Sequence, residues 1–328
     1  MSLYRSPRDR AKAACIGTTL LALLAATPSP DATAQSRPTP PAAACAEPAD
    51  MTPAHLYGLW QLTLWPLGFC ERLVKQGYRV IRFDNRDIGL SQGFDHAGVP
   101  NLALAGLRHA LHLPVRAPYR LSNMAQDALG VLDALGIAQA HVCGASMGGM
   151  IAQHLAASAP QRVASLTLMM TTSGARSLPR PSWAVQRTLL SRPRGPGQEA
   201  AVEWIVHMLR TIGSPGYPAD AEDLRERALE SVQRAWHPAG SMRQLLAIVA
   251  DGDRTPLLAR ITAPTRIVHG MADPLVPLAC GQHLARHIPG AETDFIPGMG
   301  HDLPDALLER FAQGIARRAE RTDTHSAV

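Results

Sequence analysis

The sequence predicts an α/β protein with a mostly parallel central sheet, flanking helices and an inserted helical cap. Three observations carry that expectation. Strand-like and helical runs alternate through 55–172 and again through 247–319, the pattern that builds parallel sheets. The stretch 173–246 between them has helical periodicity and no strand-like run. At the end of one apolar run, and just before an Ala-rich helical run, stands Gly144-Ala145-Ser146-Met147-Gly148. A G-x-S-x-G set between strand and helix is the sequence of a nucleophile elbow.

The chain begins with a basic head (Arg5, Arg8, Arg10, Lys12), an apolar stretch over 15–26 and Ala32-Thr33-Ala34. These are the parts of a secretory signal peptide, expected over 1–34 with cleavage before Gln35. If that segment directs export, the protein is periplasmic or secreted; otherwise it is cytoplasmic. Residues 35–54 form a Pro/Ala-rich linker. Globular text starts at His55.

A helical pattern over 67–76 is ended by Gly77. A strand over 78–83, with Val80, Ile81 and Phe83, runs into a polar turn over 84–91. Residues 92–120 are Gly/Pro-punctuated loop with one short helix. Ser122 is the expected N-cap of a helix to Leu135, where Gly136 stops it. Then come the apolar strand from Ala140, the elbow, a helix to about Ser158 and a strand over 163–170.

In 173–246, Pro179, Pro181, Pro193 and Pro196 break the pattern, and helices are expected over 199–212, 221–236 and 241–250. Trp183, Trp204, Met208, Trp236 and Met242 are read as cap core rather than pocket lining. Strands follow at 265–269 and 293–296, with helices at 278–287 and 304–319 and a tail over 320–328.

Composition narrows the function classes. The chain has 328 residues, 46% hydrophobic and 18% charged, as a soluble globular protein has. No apolar run reaches the ~20 residues of a membrane span. The net charge is +5, and of the 32 basic residues all but Lys12 and Lys75 are arginine. They are scattered and accompany no recognition motif, so no nucleic-acid partner is expected. The five cysteines form no CxxC pair and no metal-ligand spacing.

The chemistry centres on Ser146. A serine hydroxyl needs a base to take its proton, and an elbow serine is expected at a strained, positive-φ position. His301, in the Gly-rich loop after the last strand, is the candidate base. Asp273, in the loop after the preceding strand, is the candidate acid that orients it. Loops leaving the carboxyl ends of parallel strands share one edge of the sheet with the elbow. Ser146 would attack an acyl carbon, and His301 would act as base and then as acid to the leaving group. Asp273 would hold the imidazole tautomer. The rivals are weaker. His269 is too close to Asp273 in sequence, and His154 falls on the elbow helix in a polar or core role. Asp251 and Asp253 precede a strand and are expected near the opposite edge. Asp302 is expected to shape the His301 loop.

The runs YRVIRFDNRDIGLSQ, HVCGASMGGMIAQHLAASAPQRVASLTLMMTTSG, ITAPTRIVHGMADPLVPL and IPGMGHDLP resemble the α/β-hydrolase fold superfamily. More narrowly they resemble its capped bacterial esterase branch, the aclacinomycin methylesterase-like proteins. Ser146, Asp273, His301 is that fold's chain order. The resemblance implies a carboxylic ester hydrolase acting on a small to medium, largely apolar ester through an acyl-enzyme, with no metal and no organic cofactor. It implies that Asp84, Arg86, Gly89 and Ser91 form a structural turn near the site. Serine at the elbow departs from the dehalogenases and epoxide hydrolases of the fold, which carry aspartate there.

One region departs from the family. Its members enter the sheet through two strands and then a third that ends in a Gly-containing oxyanion loop. Here only AHLYGLW precedes Gln61, so the N-terminal strands are expected to be missing or altered. Of the two oxyanion donors, the Met147 N–H supplies one, and the N–H of Leu59 or Trp60, after Gly58, is the candidate for the other, with Leu59 favoured. Two alternatives follow: a carbon–carbon bond hydrolase with the same triad, and an inactive or ligand-binding homologue with a damaged oxyanion region.

Overall fold

The computed structural model describes residues 2–4, 20–24, 62–189, 191 and 193–325. In chain order these form β1 (Ser2–Tyr4), β2 (Leu20–Leu24), α1 (Leu67–Lys75), β3 (Arg79–Arg82), α2 (Leu102–Ala110) and α3 (Leu121–Ala134). Then come β4 (Ala140–Ala145), α4 (Met147–Ser158), β5 (Val163–Met169), α5 (Trp183–Leu189), α6 (Gln198–Ile212), α7 (Ala221–Arg234) and α8 (Pro238–Asp251). The chain closes with α9 (Thr255–Leu258), β6 (Thr265–Gly270), α10 (Leu278–His287), β7 (Glu292–Ile296) and α11 (Leu308–His325).

The strands form one 7-stranded sheet in the order β1-β3-β2-β4-β5-β6-β7. From β4 to β7 every pairing is parallel. β2 is antiparallel to both β3 and β4, so those two run the same way. The N-terminal entry is altered in this sense: Leu20–Leu24, inside the apolar stretch 15–26, fills the gap between β3 and β4 against the direction of both. The AHLYGLW stretch over 54–60 lies outside the described residues.

Strand side chains alternate between two cores, as period 2 requires. Ile81, Val142, Leu168 and Ile267 face α3, α4, α9 and α10. Their neighbours Val80, Cys143, Met169 and Val268 face α1 and α11. Helices therefore cover both faces, the condition under which parallel strands are stable. A third cluster, including Val185, Val202, Ile205, Met208 and Val232, lies among α5, α6 and α7. Between β5 and β6 the described residues form helices only.

Some boundaries differ from expectation. α3 begins one residue before Ser122. Its N-terminal N–H at Arg120 is taken by Asn123 Oδ1 at 2.9 Å, so the asparagine side chain reaching back does the work expected of the serine. α8 starts at Pro238 rather than 241, with proline at the first turn, where its missing N–H costs nothing. α5 was hidden by the prolines that flank it. α11 starts later than 304, after a 3-10 turn over Asp305–Leu307, and runs on to His325.

Candidate active site

β4 delivers the chain to the carboxyl edge of the sheet, and α4 leaves it at once. Ser146 makes that turn, with φ 53° and ψ −120°, in a region side-chain-bearing residues avoid. Its N–H donates to the Met169 carbonyl at 3.0 Å. Its own carbonyl accepts the Gly149 N–H at 3.0 Å and the Thr171 hydroxyl at 2.6 Å. Space forbids larger residues beside it. A Cβ on Gly144 would lie 2.3 Å from the Gly148 carbonyl oxygen, and one on Gly149 would lie 2.6 Å from Thr171 Cβ.

Asp273 follows β6, and His301 lies in the loop after β7. The structure brings both to Ser146. His301 Nδ1 lies 2.7 Å from Asp273 Oδ2, and His301 Nε2 lies 3.0 Å from Ser146 Oγ. Asp273 Oδ1 accepts the N–H groups of Leu275 (2.9 Å) and Val276 (2.7 Å), which fixes the plane of the carboxylate. The Asp273 and His301 side chains are fully buried. Met147 is the first residue of α4, where a backbone N–H has no intrahelical acceptor. Leu59 lies outside the described residues.

The His301 loop is held by a segment that no sequence signal marked. The His301 N–H donates to the Ile212 carbonyl, at the end of α6, at 2.7 Å. Ser214 Oγ accepts the Gly300 N–H at 2.8 Å and donates to Asp302. Gly300 is needed there, because a Cβ would lie 2.3 Å from the Gly213 carbonyl oxygen. Burial lifts the Asp302 carboxyl above its ordinary value, against the pull of its Ser214 hydrogen bonds.

The other candidates have other partners. His269 Nε2 donates to the Val276 carbonyl at 2.8 Å and is 3.8 Å from Asp273. Burial holds His269 below the ordinary histidine value. His154 pairs with Asp251 at 2.9 Å, and Asp251 with Arg254 at 2.6 Å. Asp251 is not near the opposite edge: Arg254 also reaches the Thr172 carbonyl, just past the end of β5, at 3.1 Å. The reason is that α8 ends over the carboxyl edge, and α9 then carries the chain down to β6.

The turn after β3 is an ion-paired node. Asp84 accepts the N–H groups of Leu62 and Leu90 and pairs with Arg234 of α7 at 2.6 Å. Asp87 pairs with Arg243 of α8 at 2.7 Å, both side chains 1% exposed. Arg86 pairs with Asp127 of α3. Gly89, at φ 59°, admits no side chain, since a Cβ would lie 2.1 Å from the Asp84 carboxyl carbon.

Two cavities meet at Ser146. One, of about 670 Å³, is lined by Trp65, Tyr217, Leu224, His301 and Leu303 among others. The second, of about 590 Å³, is lined by Met147, Met150 and Val276, and by Trp204, Met208 and Met242 of the inserted helices. Those last three are buried, as expected, and also line the cavity; Trp183 is 77% exposed. Among the described residues no cluster of three or more His, Cys, Asp or Glu is placed to hold a metal, and no helix is long and apolar enough to cross a membrane.

Comparison with known proteins agrees with this architecture. The chain is 34% identical over 270 residues to rhodomycin D methylesterase DauP of Streptomyces sp. (strain C5), covering 76% of this chain and 84% of that protein. Among solved structures it is similar to the enol-lactonase of Burkholderia xenovorans LB400, with TM-score 0.56 and 22% identity over 79% of this chain and 86% of that one. It is similar also to a meta-cleavage product hydrolase of Pseudomonas fluorescens IP01, with TM-score 0.60 and 19% identity over 82% and 88%. Residues 63–305 match the family described as alpha/beta hydrolase fold; with that match and the sheet, elbow and loops in place, the chain belongs to the α/β-hydrolase fold family.

Proposed function

We propose that this chain is a serine hydrolase that cleaves a small to medium, largely apolar carboxylic ester through an acyl-enzyme. The observation that carries the proposal is the hydrogen-bonded line from Asp273 through His301 to Ser146, at 2.7 Å and 3.0 Å, ending where two cavities meet. The 34% identity to a methylesterase supports an ester as the compound cleaved.

Ser146 Oγ attacks the carbonyl carbon as His301 Nε2 takes its proton. Asp273 holds the proton on Nδ1 and stabilises the imidazolium. The Met147 N–H faces the developing oxyanion, with the Leu59 N–H assigned as the second donor. His301 then gives its proton to the departing alkoxide, and the carbon–oxygen bond breaks. Water, deprotonated by His301, releases the acid and restores Ser146. Residues 173–246 act as a cap, and Ile212 and Ser214 hold the histidine loop from it.

The purified protein is expected to hydrolyse short-chain p-nitrophenyl esters and to be labelled at Ser146 by a fluorophosphonate. Ser146→Ala is expected to lose both. Hydrolysis at the wild-type rate in that variant would sink the assignment.

A further inference from the structure

The two cavities differ in charge. The lining of the 670 Å³ cavity mixes Asp220, Asp302 and Asp305 with Arg210 and Arg227, while the 590 Å³ one has Arg176 and Arg180 and no Asp or Glu to oppose them. The floor of the latter, at Met147 and Met150, is buried and apolar. Its exposed end carries Arg176, Arg180 and His112, with the half-buried His109 beside them. Arg176 Nη1 donates to the His109 carbonyl at 3.1 Å, which aims it at this rim. Neither arginine is in an ion pair with a carboxylate among the described residues. His109 is held below its ordinary value by burial first, and then by the neighbouring Arg176 and Arg180.

The chemistry assigns the cavities to the two halves of an ester. The departing oxygen must receive its proton from His301, and His301 lines only the 670 Å³ cavity. The alcohol half therefore lies there. With the carbonyl carbon at Ser146 Oγ, the acyl half extends the other way, past Met147 and Met150 toward the arginines.

We propose that the 590 Å³ cavity binds the acyl half of the substrate and that Arg176 and Arg180 select acyl chains ending in a carboxylate. The proposal rests on the ester-hydrolase reading above. The apolar floor takes the methylene chain, and the anion stops at the rim, still partly hydrated, where an ion pair has little desolvation cost.

The test compares mono-p-nitrophenyl esters of succinate, adipate and suberate with the same esters methyl-capped at the far carboxyl. The leaving group is constant. The wild type is expected to favour the free acid of the best-fitting chain by roughly tenfold in kcat/KM at low salt, and less at high salt. Arg176→Glu/Arg180→Glu is expected to reverse that preference and to favour an ω-amino acyl ester, a gain that damage alone would not produce. The single variants Arg176→Gln and Arg180→Gln are each expected to lower the ratio. A wild-type ratio near one, or a ratio that survives charge reversal, overturns the inference while the hydrolase reading stands. A protein inert toward every ester and unlabelled at Ser146 overturns both.

Discussion

Asp273 and Asp302 lie on either side of His301 and act on different atoms. Asp273 faces His301 Nδ1, whereas Asp302 is taken up by Ser214. Asp273→Asn presents an amide where the ring needs a carboxylate and favours the wrong tautomer, so kcat is expected to fall by about 10⁴. Asp302→Asn keeps one acceptor for Ser214 and is expected to stay within about tenfold of wild type. Steady-state kinetics on one ester separate the two, and equal losses would contradict the division of roles. Ser146, Asp273 and His301 were legible because each residue type stands just past the end of a strand, Ser146 and His301 among glycines and Asp273 beside Pro274. Ser214 was not legible. It acts on Asp302 from 88 residues away, and nothing in its own neighbourhood distinguishes it from a loop serine. Arg176 and Arg180 were hidden likewise, as two arginines among many in a Pro-rich stretch.

At the scale of elements, the turn over 84–91 was legible as a polar connection after a strand. What it joins was not, because Arg234 and Arg243 come from helices far along the chain and converge only on folding. Burial pushes the Asp87 carboxyl up, yet hydrogen bonds from Arg243, the Phe94 N–H and Tyr119 leave it below its usual 3.8. On acidification the unfolded chain takes up this proton first, near 3.8, while the folded chain resists. The stability Asp87 contributes is therefore present above pH 3.8 and lost as pH falls below it, through the lower folded value. Asp87→Asn is expected to show a shallower loss of stability below that pH. It is also expected to cost about 3 kcal/mol at neutral pH, because Arg243 is left buried with only the exposed Asp95 as carboxylate partner. Denaturant unfolding across the acid range checks both, and an unchanged acid slope would rule out the linkage. α10, with clear apolar periodicity, was placed to the residue, and α1, α6 and α7 to within two residues. Helices that begin on proline or on a reaching side chain, such as α8 and α3, were displaced at their starts because the cap chemistry was misread.

For the whole molecule, alternation of strand and helix made the parallel sheet legible, but not the strand that joins its halves. An apolar run with a basic head looks the same whether it is removed, inserted or paired, since periodicity cannot separate those fates. In the structure Leu20–Leu24 pairs with β3 on one side and β4 on the other. Deleting residues 1–24, as cleavage before Gln35 also would, removes β1 with β2, which strips β3 of both neighbours and leaves β4 with an unpaired edge. At about 1 kcal/mol per lost hydrogen bond, the melting temperature is expected to fall by on the order of 10 °C, with loss of soluble yield. A truncated protein that melts like the full chain would show that β2 is dispensable. The same strand sets an order of events in time. Leu20–Leu24 is translated well before either of its partners, Arg79–Ile81 and His141–Gly144, so the segment must wait for both. Until β3 emerges it travels as a bare apolar peptide, open to any factor that scans emerging chains for such a stretch, and its second edge stays open until β4 is complete.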